Sequence, residues 1–282
     1  MKVNPEETLK EKNVSLYTDA WDLKYEGLVP PGKCMEINCS FGYTTRHFLL
    51  PKIHKMLHRK STIIGTDSSE SMIEYARKNY DNTDRIDFEV LDIQTKGVLP
   101  EKYIAEFDHI FSFPTVHSRN DILQEFQNVY KMLKPGGIFH LSMIVSHDAF
   151  KIYDCMKDYP FYGSYFEKYT SPFQHACGAD TDVCQLLLNA DFFIKYCDLD
   201  SVEYESNYLL PYIFCGLPFI NEMSPGQQKY MENIFTNQLN VMKGSVYQSN
   251  LNTCTDKYDI VSIHAIKPRI KPVTKTVIKI YN

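Results

Sequence analysis

No Cys-x-x-Cys pair occurs in this chain, although it holds 8 cysteines among 282 residues. That absence removes the spacing of zinc ribbons and thioredoxin-like motifs, leaving scattered, mostly buried, reduced thiols as the expectation for an intracellular chain. An acid is missing between His54 and His58, which stand one helical turn apart, so a zinc-peptidase signature is excluded. No metal site is expected. No apolar run is long enough to cross a bilayer, and Met1-Lys2-Val3-Asn4-Pro5-Glu6-Glu7 lacks the basic-then-apolar order of a secretory leader. The expectation is a soluble, cytoplasmic protein without stable membrane insertion. A basic excess is absent too: the formal charge is −5, which argues against a general nucleic-acid binder. There is neither an internal repeat nor a low-complexity tract. What remains is ordinary globular composition, 44% hydrophobic and 23% charged, in a chain long enough for one large α/β domain or one with an inserted cap.

Three signals in the middle of the chain fall in a telling order. Arg85 to Asp92 alternates apolar residues and ends on an acid, and Phe107 to Phe113 is a second apolar run. Leu133-Lys134-Pro135-Gly136-Gly137 reads as a turn feeding a third, Ile138 to Val145. Around them, strands are expected at Lys33–Asn38 and Ser61–Asp67, and helices over Met1–Leu28, Thr44–His58, Ser69–Asn79 and Asn120–Leu133. Ser68 or Ser69 caps the helix that follows Asp67. Strand–helix alternation of this kind implies an α/β, doubly wound, mostly parallel sheet, because each parallel connection needs a crossover. After Ser146 the pattern changes. Helices are expected over Asp148–Tyr159, Ala179–Ala190 and most of Leu209–Val246, the last broken at Pro218 and Pro225-Gly226. A strand is expected over Phe192–Tyr204 and a final one over Tyr258–Ile266, followed by a basic tail to Asn282. The domain reading is therefore 1–146 as nucleotide-binding core, 147–257 as a helical cap with one core strand near 192–204, and 258–282 as final strand and tail.

On such a sheet a nucleotide-like cofactor sits outside the carboxyl ends of the strands, near the switch in strand order. The loop after the first strand, Glu36-Ile37-Asn38-Cys39-Ser40-Phe41-Gly42, has a single glycine, although Asn tolerates positive φ and Ser is small. Asp67 ends the second strand, where an acid can accept both ribose hydroxyls; capping the next helix is its other reading. Asp92 ends the third strand, where it could accept from an adenine amino group with Ile93 against the ring, or be an ordinary turn acid. Ser112 and Phe113 would line the cofactor, or simply end a buried strand. His117 at the rim offers a general base or a helix-entry hydrogen bond.

The order strand–Asp, strand, helix, Lys-Pro-Gly-Gly, strand resembles the second half of a class I S-adenosylmethionine-dependent methyltransferase. More closely, Gly65-Thr66-Asp67-Ser68-Ser69-Glu70-Ser71-Met72-Ile73-Glu74-Tyr75-Ala76 resembles the second-strand block of insect juvenile hormone acid methyltransferases. Val90-Leu91-Asp92-Ile93, the Phe107–Phe113 block with Thr115 and His117, and Ser171-Pro172-Phe173 resemble further blocks of that family. The resemblance implies a Rossmann-like, seven-stranded sheet with a helical cap over the substrate. It implies S-adenosylmethionine held by Glu36, Asn38, Cys39, Gly42, Asp67, Ser68, Asp92, Ile93, Ser112 and Phe113. It places a terpenoid acid, farnesoic or juvenile hormone acid, against Leu16, His117, Ser118, Phe150 and Phe173, with His117 mainly positioning, as in juvenile hormone biosynthesis.

The chain departs from the family at Glu36 and Asn38, where an aspartate and the first glycine are usual. It departs again at Ser118, where a tryptophan is usual, and at Leu16, where a polar substrate contact is usual. A divergent paralogue is the expectation. A carboxylate already ionised at pH 7 needs alignment more than a base. The alternatives are a low-activity or non-catalytic binding protein on the same fold, and a methyltransferase for a phenol or amine that would need His117 as base. The expected partner is a small lipophilic acid, and a homodimer is the oligomeric expectation.

Overall fold

Short apolar and β-branched runs become the central strands. In the computed structural model, residues 32–56, 61–80, 84–113, 121–160, 163–166, 171–206, 223–243 and 254–270 are described. The strands are β1 (Lys33–Ile37), β2 (Thr62–Asp67), β3 (Ile86–Val90), β4 (Phe107–Ser112), β5 (Leu133–His147), β6 (Phe193–Ser206) and β7 (Cys254–Ile266). They form one seven-stranded sheet in the order β3-β2-β1-β4-β5-β7-β6. Neighbours from β3 to β5 pair in parallel, and β7 runs antiparallel between β5 and β6. The expected Rossmann-like, mostly parallel sheet is thus observed. The chain lays β1, β2 and β3 outward on one side and returns to lay β4 on the other, so the switch in strand order lies between β1 and β4.

The helices are α1 (Leu50–Met56), α2 (Glu70–Tyr80), α3 (Ile122–Met132), α4 (Asp148–Met156), α5 (Gly163–Phe166), α6 (Ala179–Asn189) and α7 (Pro225–Lys243). Alternating residues of each strand face opposite layers. Met35, Ile37, Phe107, Phe139, Leu141, Val261 and Ile263 pack with α3 and α6. Cys34, Ile63, Phe88 and Phe111 pack on the other face with α1 and α2. Beyond the carboxyl half of β5, α4 and α7 close a third cluster with Phe166, Tyr258 and Ile260. α6 therefore belongs to the layer that covers the sheet, alongside α3. Its stripe of Val183 and Leu187, like Ile122, Phe126, Val129 and Met132 of α3, recurs at helical spacing.

Several boundaries differ from the sequence expectation, among them the start of β7, at Cys254 rather than Tyr258. The Lys-Pro-Gly-Gly segment lies inside β5. Phe107 pairs Leu133 and His109 pairs Ile138, so the extra residues are taken up as an irregularity. Gly136 allows it with φ 87°, and Lys267 exchanges backbone hydrogen bonds with Gly136 and Gly137 at 2.7 and 3.0 Å. Pro225-Gly226 opens α7 where a break was expected. Ser224 and Gln227 form a reciprocal capping box, with the Ser224 N–H donating to the Gln227 side chain at 2.9 Å, and Pro225 takes the first helical position, where no N–H is needed. The helix expected from Asn120 begins at Ile122, with Asp121 as its cap. The helix expected from Thr44 enters α1 through a π-helical turn, Thr45–Leu49. The expected N-terminal helix, His58, the run over 209–222 and the tail from 271 lie outside the described residues, as do Leu16, His117 and Ser118.

Candidate functional site

At the switch between β1 and β4 the chain leaves β1 through a loop of left-handed residues. Asn38, Ser40 and Gly42 have φ of 56°, 52° and 78°. Glycine is the residue that adopts this region freely, and Asn the next best. The loop therefore keeps a glycine-type backbone although two of its three positions carry side chains. Gly42 admits no substitute: a Cβ there would lie 2.5 Å from the Phe88 ring and 2.8 Å from Ala76. The turn is fastened by the Cys39 N–H on the Thr66 carbonyl and the Gly42 N–H on the Cys39 carbonyl, both at 2.9 Å. The Cys39 side chain is buried in the α1–α2 layer, and burial first, then the nearby acids, pushes its thiol well up. From this loop Cys39 can offer a ligand its backbone only.

Asp67, at the carboxyl end of β2, is 6% exposed and holds two loops at once. Its Oδ2 accepts the Ser40 N–H at 2.9 Å, and its Oδ1 accepts the Ser69 N–H at 2.9 Å. A carboxylate carries about four acceptor positions, so two of these bonds leave capacity for a pair of hydroxyls. Both readings of Asp67, helix entry and ligand acceptor, are compatible in one side chain. Ser68 beside it is exposed. Ser69 caps α2, receiving the Met72 N–H on its hydroxyl at 3.4 Å.

Glu36 sits directly below. It is 2% exposed and accepts a short hydrogen bond from the Thr45 hydroxyl. Burial pushes its carboxyl up to about 8, the Thr45 bond opposes that, and the Asp67 charge adds to it. Glu36 is therefore protonated at neutral pH and ties the π-helical turn to β1.

The next strand end supplies the third wall. The Leu91 N–H donates to the Asp67 carbonyl at 2.9 Å, placing the Asp92 turn beside Asp67. Asp92 is exposed, and its Oδ1 accepts the Gln94 N–H at 2.9 Å. Ile93 is 2% exposed, with its side chain in the α3–α6 layer. Ser112 closes β4 and is buried, and Phe113 packs edge-on to Phe48 with ring centroids 5.6 Å apart. Phe150 and Phe173 are also buried, but in separate clusters, Phe150 with α4 and α7 and Phe173 with α3 and α6. The structure thus gathers Glu36, Asn38, Cys39, Gly42 and Asp67 around one loop, with Asp92 one strand away, and keeps the two phenylalanines apart from each other.

Two contributors escaped the sequence reading. Ser40 supplies the backbone N–H that joins loop to acid. Asn128, fully buried on α3, donates to the carbonyls of Ile93 and Thr95, both at 2.8 Å. Its signal was available: an amide next to Val129 on the apolar stripe of a strongly amphipathic helix has to find a buried partner. Among the described residues no group of three or more metal-ligating side chains occurs.

Residues 35–139, the span from β1 into β5, match the sequence family described as a methyltransferase domain. The chain is 29% identical over 155 residues to the juvenile hormone acid O-methyltransferase of Drosophila melanogaster, covering 54% of this chain and 52% of that one. It is 26% identical over 184 residues to that of Bombyx mori, covering 61% and 64%. The chain thus spans between half and two thirds of the length of these relatives. Among solved structures, the YcgJ protein of Bacillus subtilis superposes with TM-score 0.56 at 14% identity, covering 86% of this chain and 94% of that one. The cyclase SpnF superposes with TM-score 0.51 at 16% identity, covering 86% and 77%. These likenesses establish the fold, which SpnF shows can serve other chemistry. A left-handed loop at the strand switch, a buried acid with acceptor capacity to spare and a second strand-end acid fit S-adenosylmethionine, the cofactor of such a domain. Residues 35–139 match a methyltransferase domain, and over about half its length the chain is similar to juvenile hormone acid O-methyltransferases.

Proposed function

We propose that the protein transfers a methyl group from S-adenosylmethionine to the carboxylate of a lipophilic acid of the farnesoic or juvenile hormone acid type. The observation that carries the cofactor half is the Asp67 carboxylate, which joins the β1 loop to the α2 entry and retains acceptor positions for a ribose. Asp92 and the Ile93 turn would take the adenine, and Asn38 to Gly42 would pass along the methionine portion. The cofactor supplies an electrophilic methyl on a sulfonium. The acceptor half rests on similarity to the two insect enzymes, with the aromatic α4–α7 cluster as apolar support for a terpenoid chain. An acid acceptor is ionised at neutral pH, so the chain's residues need only align it and exclude water. Neutral Glu36 suits this, since it puts no second negative charge beside Asp67 beneath the loop.

The test is methyl ester formation with a series of lipophilic acids at saturating cofactor. Burial contributes about 0.8 kcal/mol per CH₂, so affinity should rise with chain length. If S-adenosylmethionine binds and no acid is esterified, the acceptor belongs to another class. If S-adenosylmethionine does not bind, a non-catalytic binding protein replaces this reading; the side chains at Asn38 and Ser40 favour that alternative.

A further inference from the structure

Cys184 on α6 and Cys197 on β6 bring their Sγ atoms to 3.0 Å. They are 13 positions apart and share no motif, but a tight reversal through Asp191, φ 67°, folds α6 back over the edge strand. Both are half-buried at the border of the α3–α6 layer, so a small solute can reach them while helix and strand hold their backbones in place. The remaining described thiols differ. Cys34 and Cys39 are buried and pushed up mainly by that burial, and Cys155 and Cys177 are exposed.

We propose that Cys184 and Cys197 form a reversible dithiol–disulfide site that latches α6 to the edge strand β6, with a low-molecular-weight disulfide such as oxidised glutathione as the oxidant. The order of attack follows from their shared proton. When the pair loses a proton, the hydrogen bond with Cys197 lowers the Cys184 thiol, against burial and the Asp180 charge. The same bond is the first cause that raises Cys197, followed by burial and by the charges of Cys184, Asp180 and Asp198. Cys184 is thus the nucleophile. Its thiolate attacks one sulfur of oxidised glutathione, forming a mixed disulfide and expelling one glutathione thiolate. Cys184 then carries no charge and no longer accepts the hydrogen bond, so the main cause holding the proton on Cys197 is gone. Cys197 releases that proton to solvent and attacks the Cys184 sulfur, expelling the second glutathione thiolate. Two protein thiols are oxidised, one glutathione disulfide is reduced to two thiols, and electrons balance. The closed loop limits the unfolded chain and raises the unfolding temperature.

The experiment equilibrates the full-length protein with oxidised glutathione, quenches in acid and maps disulfides by peptide mass spectrometry, with thermal unfolding in parallel. The expected result is a Cys184–Cys197 link, a loss of two hydrogen atoms in mass, and a raised midpoint, all reversed by dithiothreitol. Cys197→Ser should retain glutathione on Cys184, and the Cys155→Ser/Cys177→Ser double variant should keep both the link and the shift. Glutathione persisting on Cys184 of the wild-type protein, or both thiols remaining free while Cys155 and Cys177 are modified, overturns the proposal. The wild-type mapping does not depend on any variant folding.

Discussion

Asn128 fastens the turn at Ile93 from inside the domain, donating at 2.8 Å to the Ile93 carbonyl and again at 2.8 Å to that of Thr95. The turn proposed to receive the adenine therefore depends on a residue of α3 that faces the core. Asn128→Leu keeps the branching at Cγ, adds some bulk and removes the amide donor to both carbonyls. Leaving buried carbonyls without partners costs about 1–3 kcal/mol. The unfolding midpoint should fall, and S-adenosylmethionine affinity should fall with it in titration calorimetry. A lowered midpoint with unchanged affinity would confine Asn128 to folding.

Asp67→Ala removes the acceptor of the Ser40 and Ser69 N–H groups together with the proposed ribose contact. A lost buried hydrogen bond costs about 1–3 kcal/mol, roughly a tenfold to hundredfold weakening of S-adenosylmethionine. Asp67→Asn should recover little, because its amide NH₂ would confront one of the two backbone donors. Calorimetric titration of both variants decides it, and wild-type affinity in either removes Asp67 from the site.

Much of this architecture was legible in local pattern. β2 and β4 are short apolar runs with clear ends, and α3 and α6 show their stripes at helical spacing, so strands, crossovers and the positions of Asp67 and Asp92 could be read directly. The Lys-Pro-Gly-Gly segment could not. A turn and a strand irregularity share the same residues, and only pairing with β4 on one side and Lys267 on the other selects the strand. Ser40 was illegible as a site residue because its role is a backbone N–H aimed at an acid 27 positions away. The Cys184–Cys197 approach depends on how α6 lies on β6, which no spacing rule encodes.

Stability should peak near pH 6.5, and the sign follows from three buried groups. His140 and His264 lie on one sheet face with ring centroids 4.9 Å apart. Burial first, then the charges of His264 and His109, holds His140 well below 6.5; burial first, then Lys195, brings His264 down to about 4. Unfolding lets both bind protons, so below about 6.5 their contribution is lost as pH falls. Glu36 behaves in the opposite sense. Its folded value of about 8 exceeds the ordinary 4.5, so its contribution is full below 4.5 and is lost as pH rises through 8. Between 4.5 and 6.5 two histidines outweigh one carboxyl and stability rises with pH. Between 6.5 and 8 the histidines no longer contribute to the slope, and Glu36 lowers stability by up to about 1.4 kcal/mol per pH unit, opposed where the lowered Cys184 thiol ionises. Thermal unfolding across pH 4.5–8.5 should show this peak, and Glu36→Gln should flatten its alkaline side. An alkaline limb equally steep in the Gln variant would show that another group governs it.

The two side chains in the left-handed loop make opposite demands on stability and binding. Ser40 at φ 52° bears a strain of roughly 1–2 kcal/mol that glycine would not. Glycine also loosens the unfolded chain by about 0.4–1 kcal/mol. Ser40→Gly should therefore stabilise slightly, and its N–H would remain available to Asp67. Asn38 at φ 56° is a residue that tolerates this conformation, so Asn38→Gly should be close to neutral or slightly destabilising. Its effect on S-adenosylmethionine is the informative quantity. If the Asn38 side chain only occupies space where the cofactor backs onto the loop, the glycine variant binds more tightly while its unfolding midpoint barely moves. If affinity falls at an unchanged midpoint, the Asn38 amide is itself a cofactor contact. Paired calorimetry and thermal unfolding on Asn38→Gly and Ser40→Gly separate these outcomes, because only Ser40→Gly is expected to move the midpoint upward.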